Sequence, residues 1–346
     1  MSKNDRATAR GTQALRDRFA PAVYRPLGEL WLSSIGWSTS QREGREGDAL
    51  VRSVVDHGLN VFDVFSHARG GAPEAAIARG LRAGARAELV VLGHAGFLSE
   101  RVLGFGAHAQ AVQEQFISRG TFEWGDLAGG NHCIAPRFLI HSAEQSRQRL
   151  GTGVDVLLLD SPGLQLSVNS ALAFERRLGG ALEALERCVA DGDIGCYGIA
   201  DPGPIQLELA VRLARAVAGS GHHLRAVHFP LSLHTAGAAL ARSQVVAGRR
   251  CSVLEAAREL GLYAIGSGVI QSGQPQYDFE PEVRRHFGDV MTDTQIAIQW
   301  ARSLPGMGTV LCGMRRAAHI DENARVSRIP PMDPLAAAAF VPEEGA

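Results

Sequence analysis

Short apolar runs alternate along this chain with longer amphipathic segments. In the segments the apolar positions recur at the spacing of an α-helix, whereas the runs have the length of buried β-strands. The predicted strands are 30–35, 59–63, 89–93, 154–160, 194–200, 226–229, 263–267 and 309–312. The predicted helices include 48–57, 72–83, 178–191, 205–218, 252–260 and 292–303. This alternation predicts a series of eight strand–helix units.

Eight such units without a break in composition favour one closed parallel barrel of the α/β class, a (β/α)8 TIM barrel, over two separate domains. We place the barrel at residues 27–329, after a flexible leader at 1–26 and before a C-terminal tail at 330–346. The interval between the third and fourth strands is too long for a helix alone. Residues 95–153 therefore contain an insert, which on the catalytic face would serve as a lid or substrate loop.

The composition of the chain limits which partners and which cellular compartment are expected. The 346 residues carry a formal net charge of −1, which gives no reason to expect nucleic acid or an anionic membrane as partner. The five cysteines are scattered and form no CxxC pair, as in proteins of a reducing cytosol. With no signal sequence and no apolar run of membrane-spanning length, we expect a cytoplasmic protein that acts on a small molecule. The sequence leaves the oligomeric state open.

Chemistry in a parallel barrel is located at the carboxyl ends of the strands. Five of the eight predicted strands end at or next to an aspartate or a histidine. The residues at the strand ends are Asp63, His94, Asp160, Asp201, His228, Ser267 and Gly313. Each has a plain structural interpretation when taken alone; Asp201 before Pro202, for example, is a good helix N-cap. Together they predict a pocket whose carboxylates and imidazoles need partners or a ligand.

Several motifs of the chain resemble those of the aldo-keto reductases, in the same order. They are GLNVFD at 58–63, ALEAL at 181–185 followed by DGDIGCYG at 191–198, QIAIQW at 295–300 and VLCGMRRAAHIDEN at 310–323. The resemblance extends over residues 24–326 and implies a barrel of the aldo-keto reductase type. Members of that family reduce carbonyls with hydride from a nicotinamide cofactor, and they use an Asp, a Tyr, a Lys and a His.

The resemblance also implies where the four catalytic residues of the family would fall. They fall on Asp63, Ala68, His94 and Asp160, so that only the aspartate is kept. Ala68 has no proton to donate, and the single lysine of the chain, Lys3, lies in the leader. Beside Ala68, His67 is a candidate for the missing acid.

The cofactor site that the resemblance implies is altered at one end and kept at the other. Asp201 and His228 stand where the family holds the nicotinamide with neutral amides, and an anionic aspartate is a poor substitute. Arg315 and Arg316, in contrast, open a helix that could hold a 2′-phosphate. The candidate cofactor residues are Asp201, Ser267, Gly313, Arg315, Arg316, Glu322 and Asn323. The sequence leaves open whether the chain binds NADP or the helix merely keeps its caps.

Three functions remain as hypotheses. The one we favour is a non-redox acid/base reaction, such as elimination, isomerisation or cyclisation, on a small organic substrate. In it, Asp63 and Asp160 flank His94 and stabilise its cation, which makes the imidazole a proton shuttle near neutral pH, and His67 and His228 are further candidate catalytic residues. The second is an NADP-dependent oxidoreductase with a histidine as proton donor, and the third is a non-catalytic binding or regulatory protein. No HxH or HxxxH spacing supports a metal site, so we expect none.

Overall fold

Strands and helices alternate through nearly the whole chain. The computed structural model describes residues 5–19, 23–39, 47–83, 85–99, 108–270, 279, 281–287 and 292–340. The strands are β1 Tyr24–Leu27, β2 Leu30–Ser33, β3 Ile35–Ser38, β4 Val61–Val64, β5 Val90–Ala95, β6 Val154–Asp160, β7 Ile194–Ala200, β8 Leu224–Pro230, β9 Gln244–Val246, β10 Arg249–Cys251, β11 Tyr263–Ser267 and β12 Met307–Cys312. The helices are α1 Ala9–Arg18, α2 Gly47–Asp56, α3 Ala72–Ala83, α4 His108–Gln115, α5 Pro136–Leu150, α6 Ala171–Ala190, α7 Leu207–Ala218, α8 Gly237–Leu240, α9 Val253–Leu260, α10 Pro281–Phe287, α11 Asp293–Ser303, α12 Ala317–Ala324 and α13 Pro334–Ala339.

Eight parallel strands close into a barrel, which confirms the predicted fold class. Their order around the barrel is β3, β4, β5, β6, β7, β8, β11 and β12. Closure occurs where β12 pairs with β3, with Val310 opposite Ile35. The helices lie between successive strands, and two of them begin with a capping box at Ser252 and at Thr292. Each cap satisfies backbone N–H groups that the first turn leaves unpaired.

The first barrel strand differs from the prediction. The apolar run at 30–35 was expected to be one strand, but the structure divides it after Ser33. Strand β2 pairs with β1 in an antiparallel hairpin, whereas β3 pairs with β4 and β12 in the barrel. At the break, the backbone N–H of Ser34 donates to Val23 O. One apolar run thus serves two sheets, and the barrel strand ends three residues later than expected, at Ser38.

Alternate side chains of the strands face opposite sides of the barrel wall. Inside, residues such as Leu92, Val156, Leu158 and Ile265 form an apolar cluster. Their neighbours along the strands face outward and pack against the helices in a larger core. This alternation is the period of two that a strand imposes on its side chains.

The hairpin and α1 cover the amino-terminal end of the barrel. Leu27 and Leu32 of the hairpin join the interior cluster, and Leu15 of α1 is fully buried. Residues 1–26 were expected to be a flexible leader, yet Ala7 N donates to Asp155 Oδ1 at 2.8 Å and Arg18 forms an ion pair with Glu88. A local pattern gives no sign of such docking, because the partners lie far along the chain.

The C-terminal segment also packs more closely than expected. Trp300 of α11 donates from its indole N–H to Ala337 O at 3.0 Å, and Gln299 donates to Pro330 O at 2.7 Å. The tail predicted at 330–346 is therefore docked on α11 up to α13; residues 341–346 lie outside the described part of the chain. The exact division of the chain at residues 27 and 329 stays a prediction.

The insert between β5 and β6 contains α4 and precedes the barrel helix α5. Isolated β-bridges join His132 to Phe97 and to Ala128, so the end of the insert returns to the end of β5. Residues 100–107 of the insert lie outside the described part of the chain. Its service as a lid stays a prediction. Within the described residues, no helix combines the length and the apolar character that crossing a bilayer requires.

Candidate active site

The candidate residues continue the rows of inward-facing side chains that fill the barrel. Along β5, Val90 and Leu92 face the interior, and His94 is the next residue with the same orientation. On β6 the same reasoning applies to Asp160, which follows Val156 and Leu158. An apolar interior thus ends in a polar layer at the carboxyl end of the barrel, where the sequence predicts chemistry.

Asp63, His94 and Asp160 form one continuous hydrogen-bonded chain. His94 Nε2 lies 2.7 Å from Asp63 Oδ1, and His94 Nδ1 lies 2.7 Å from Asp160 Oδ1. The imidazole and the Asp63 carboxylate are almost fully buried, and Asp160 is 6% exposed. The structure therefore brings together the three residues that the sequence proposed as an acid/base unit. Their catalytic role stays a prediction.

The charge of His94 is fixed by its two neighbours. Burial is the largest single influence and would lower the pKa of His94, but Asp160 and Asp63 outweigh it and raise that pKa to about 10. Burial likewise opposes ionisation of Asp63, yet His94 and a hydrogen bond from Ser38 hold the pKa of Asp63 below its ordinary value. His94 is thus a cation at neutral pH and donates from both ring nitrogens.

This charge state corrects one expectation from the sequence. We expected His94 to shuttle protons near neutral pH, but a pKa of about 10 keeps the imidazole protonated there. Both N–H groups already donate to carboxylates at 2.7 Å, so neither is directed at a substrate. His94 is therefore suited to hold and orient the two carboxylates.

In the hydrogen-bonded chain Asp63–His94–Asp160, the second carboxylate oxygen of Asp160 can still accept a hydrogen bond. Oδ2 of Asp160 is buried and has no hydrogen-bond partner among the residues that the structure describes. His67 Nδ1 lies 3.8 Å from it, too far for a direct hydrogen bond, and the His67 side chain is 23% exposed. A cavity of about 50 Å³ borders His67 and His94, and a polar cavity of that size can hold water. Of the histidines beside Asp160, His67 is the one in contact with solvent, since His94 and His132 are buried.

His228 differs from His94 in charge. Its ring meets the His94 ring edge-on, with centroids 5.8 Å apart. Burial lowers the pKa of His228 despite the nearby charge of Asp63, so this imidazole is neutral. Within the described part of the chain, neither of its ring nitrogens has a hydrogen-bond partner. A neutral imidazole can both donate to and accept from a ligand.

Three residues of the site were missed by reasoning from the sequence. Ser38 donates to Asp63 Oδ2 at 2.7 Å, and Phe65 stacks on the His94 ring with centroids 4.2 Å apart. His132, from the insert, contacts Asp160 O through Nε2 at 2.8 Å. Ser38 could have been found had the first strand been placed correctly. The insert carries no comparable periodic signal for His132.

The predicted cofactor residues Asp201, Ser267 and Gly313 lie at the carboxyl ends of β7, β11 and β12, and Asp201 N–H donates to His228 O of β8 at 2.8 Å. Asp201 is exposed, and its Oδ2 accepts from Ser161 at 3.2 Å. Ser161 and Asp201 both have positive φ, 40° and 45°, a conformation that costs free energy in residues other than glycine. Ser267 donates to Phe229 O at 3.4 Å, and Gly313 is exposed just after β12.

The residues predicted at the phosphate end lie around helix α12. Arg316 is its N-cap, and the Arg316 guanidinium contacts His319 Nε2. Arg315 precedes it and is half-buried. Glu322 accepts from Thr292 Oγ1 at 2.8 Å, so one of its oxygens is already used. Asn323 is buried, and its Oδ1 has no hydrogen-bond partner among the described residues.

Solved structures similar to this one cover almost the whole chain. An aldo-keto reductase from Bacillus halodurans, in its holo form, is 16% identical, with 93% of this chain and 98% of that chain covered at a TM-score of 0.62. The fold is that of the aldo-keto reductases. A Klebsiella pneumoniae aldo-keto reductase in complex with NADP and acetate is 18% identical, with 87% of this chain and 88% of that chain covered at a TM-score of 0.59. At such identities the likeness establishes the aldo-keto reductase fold and no more.

Another structure of an aldo-keto reductase from Klebsiella pneumoniae, in complex with NADPH, has the same TM-score of 0.59 and 18% identity, with 92% of this chain and 95% of that chain covered. No protein-family model and no curated protein matches the sequence. Within the described residues, no group of three or more histidine, cysteine, aspartate or glutamate side chains is arranged to hold a metal ion.

Proposed function

We propose that the protein is an enzyme that uses its aldo-keto reductase fold for a non-redox acid/base reaction on a small organic substrate. The observation that carries this proposal is the position of Asp160 Oδ2, a buried carboxylate oxygen without a described hydrogen-bond partner, beside His67. In an elimination or isomerisation, Asp160 takes a proton from the substrate and His67 returns one to the leaving group or to the adjacent carbon. The distance of 3.8 Å between His67 Nδ1 and Asp160 Oδ2 is compatible with this, because catalytic hydrogen bonds are often long without substrate and shorten in the complex.

The charge of the site supports the same conclusion. Two carboxylates and one imidazolium give the Asp63–His94–Asp160 chain a net charge of −1. Reduction of a carbonyl develops negative charge on its oxygen, and a net negative pocket opposes that. Proton abstraction by a carboxylate spreads the existing negative charge into the substrate instead. We propose that neutral His228, whose ring nitrogens have no hydrogen-bond partner among the described residues, accepts from or donates to a substrate oxygen.

A second candidate function, NADP-dependent oxidoreduction with His67 as proton donor, is favoured by one observation. The buried Oδ1 of Asn323, which has no hydrogen-bond partner among the described residues, lies on the helix that Arg315 and Arg316 open, so these residues fit the phosphate and adenine end of the nucleotide. Bound NADPH would supply hydride. The complexes of similar reductases with NADP and NADPH suggest the same ligand. We propose nucleotide binding at this end, without assigning it a part in the reaction.

Proton exchange separates the candidate functions. The protein is incubated in D2O with a mixture of cellular metabolites, and incorporation of deuterium is followed by mass spectrometry, with and without NADPH. We expect incorporation or conversion that does not require NADPH and that is lost in Asp160→Asn and reduced in His67→Ala. The control is Asp191→Asn, which alters an exposed carboxylate at the C-cap of α6.

Two other outcomes would contradict the proposal. Consumption of NADPH with a carbonyl compound, lost in His67→Ala, would establish the oxidoreductase. Binding of a metabolite without any conversion, unchanged in Asp160→Asn, would establish a binding protein. We also propose that the protein acts in the cytosol, the compartment predicted from the cysteine pattern.

A further inference from the structure

A cavity of about 460 Å³ opens at the amino-terminal end of the barrel, opposite the candidate active site. Its walls include the first residues of β11 and β12, the turn of the β1–β2 hairpin, and Pro331 and Pro334 of the C-terminal segment. The volume is within the range of cavities that bind small molecules. None of the residues predicted from the sequence as functional lines it.

Four arginines line this cavity, and we call them the arginine cluster: Arg25, Arg225, Arg258 and Arg302. No aspartate or glutamate is among the described residues that form its walls. In a chain with 35 lysines and arginines and 36 acidic residues, such a one-sided cavity is not explained by composition. A cleft lined by one sign of charge concentrates ligands of the opposite sign.

Burying the cation of Arg302 without a carboxylate among its described partners costs free energy. Arg302 is 1% exposed, and its hydrogen-bond partners among the described residues are all neutral: Gln299 Oε1 at 2.7 Å, Ser34 Oγ at 3.3 Å and the carbonyl oxygen of Ile329. Burial, together with the nearby charge of Arg25, lowers the pKa of Arg302 to about 10. A buried cation is normally paired with an anion.

The other arginines leave room for an anion to enter. Arg258 is exposed, and its aliphatic stem lies beside Gly306, whose φ is +87°. Arg225, near the start of β8, is half-buried. Guanidinium groups match phosphate oxygens with paired, charge-assisted hydrogen bonds. The cavity is larger than a single inorganic phosphate needs, so its ligand has further atoms.

We propose that the arginine cluster binds a phosphate-bearing small molecule at the amino-terminal end of the barrel. This site is separate from the residues at the carboxyl ends of the strands, so it does not depend on the reaction proposed above. Since Arg302 also holds Ile329, and Pro331 and Pro334 line the cavity, the ligand would stabilise the docking of the C-terminal segment. A ligand that binds only the folded state raises its stability.

The test is calorimetric titration of the purified full chain with inorganic pyrophosphate and, separately, with inorganic phosphate. We expect pyrophosphate to bind more tightly, and the double variant Arg225→Ala/Arg258→Ala to weaken that binding at least tenfold. Buried Arg302 is left intact so that the variant folds, which its circular dichroism would verify. The control is Arg212→Ala, an exposed arginine that is paired with Glu175.

A second variant distinguishes this cavity from the predicted nucleotide end. Arg315→Ala/Arg316→Ala is expected to bind pyrophosphate as the wild-type protein does. The proposal is overturned if neither anion binds at millimolar concentration. It is equally overturned if binding survives in the Arg225/Arg258 variant but is lost in the Arg315/Arg316 variant.

Discussion

At the scale of single residues, His94 links the proposed chemistry to the stability of the protein. Its pKa is raised from 6.5 to about 10 by two carboxylates that outweigh its burial. A histidine whose pKa is higher in the folded state stabilises that state fully below its unfolded pKa and loses this effect as the pH rises through the folded pKa. The relevant window for His94 is therefore from about pH 6.5 to about pH 10.

We predict that His94→Gln lowers the free energy of unfolding by about 3–5 kcal/mol near pH 6, because it leaves two buried carboxylates without their cation. The difference from the wild-type protein should shrink as the pH rises from about 6.5 to about 10, because the unfolded chain releases the His94 proton near the lower value and the folded protein only near the higher one. Urea unfolding of both proteins at a series of pH values measures the difference. Histidine-specific NMR should show the wild-type imidazole still protonated at pH 8. A difference that is constant with pH would contradict the assigned charge.

Residue identities could be predicted where a simple rule places them. Asp63, His94 and Asp160 were found because the carboxyl ends of parallel strands converge. The sequence predicted that two carboxylates would stabilise the His94 cation, but not that its pKa would lie far above neutral, since this depends on two distances of 2.7 Å across three strands. The contact of His132 with Asp160 was likewise beyond the sequence, because it needs the path of the insert.

At the scale of elements, periodicity predicted strands better than it predicted their pairing. The bounds of β6, β7 and β11 agree with the apolar runs, but the run at 30–35 belongs to two strands in two different sheets. Apolar spacing shows that a segment is buried and does not show against what. The same limit explains why α1 was taken for a flexible leader.

We predict that α1 stabilises the barrel as a core helix does. Leu15→Ala removes a fully buried side chain and should lower the free energy of unfolding by roughly 2–5 kcal/mol. Leu172→Ala is the matched control, because Leu172 at the start of α6 is 66% exposed and should change stability by less than about 0.5 kcal/mol. Chemical denaturation of both variants decides the matter. Equal effects would mean that residues 9–18 are a loose leader after all.

At the scale of the whole molecule, the two ends of the barrel carry opposite charge. The carboxyl end holds the Asp63–His94–Asp160 chain, and the amino end holds the arginine cluster. The barrel itself was predictable, because eight repeated units have few ways to close. The arginine cluster was not, since its four members come from a hairpin, a strand and two helices that only the fold brings together.

We predict that the C-terminal segment is part of the cooperative fold. Truncation after Ile329 removes the partners of Trp300 and Gln299 and exposes part of a buried indole, which should cost roughly 2–4 kcal/mol. Leu335→Ala is the control, because Leu335 is 77% exposed and this substitution should hardly change the stability of the protein. Thermal unfolding measures both. A truncated protein that melts like the full chain would show that the segment only rests on the surface.

Gly96, directly after β5, determines which sequences this site can tolerate. Its φ is +131°, and a Cβ there would lie 3.0 Å from Asp160 O and 3.3 Å from His132 Nε2. Any other side chain would push the start of the insert away from the Asp160 backbone. In a saturation library selected for function, we expect glycine alone to survive at position 96. At Gly179, in α6, a Cβ would meet nothing within 4 Å, and the same library should accept alanine freely.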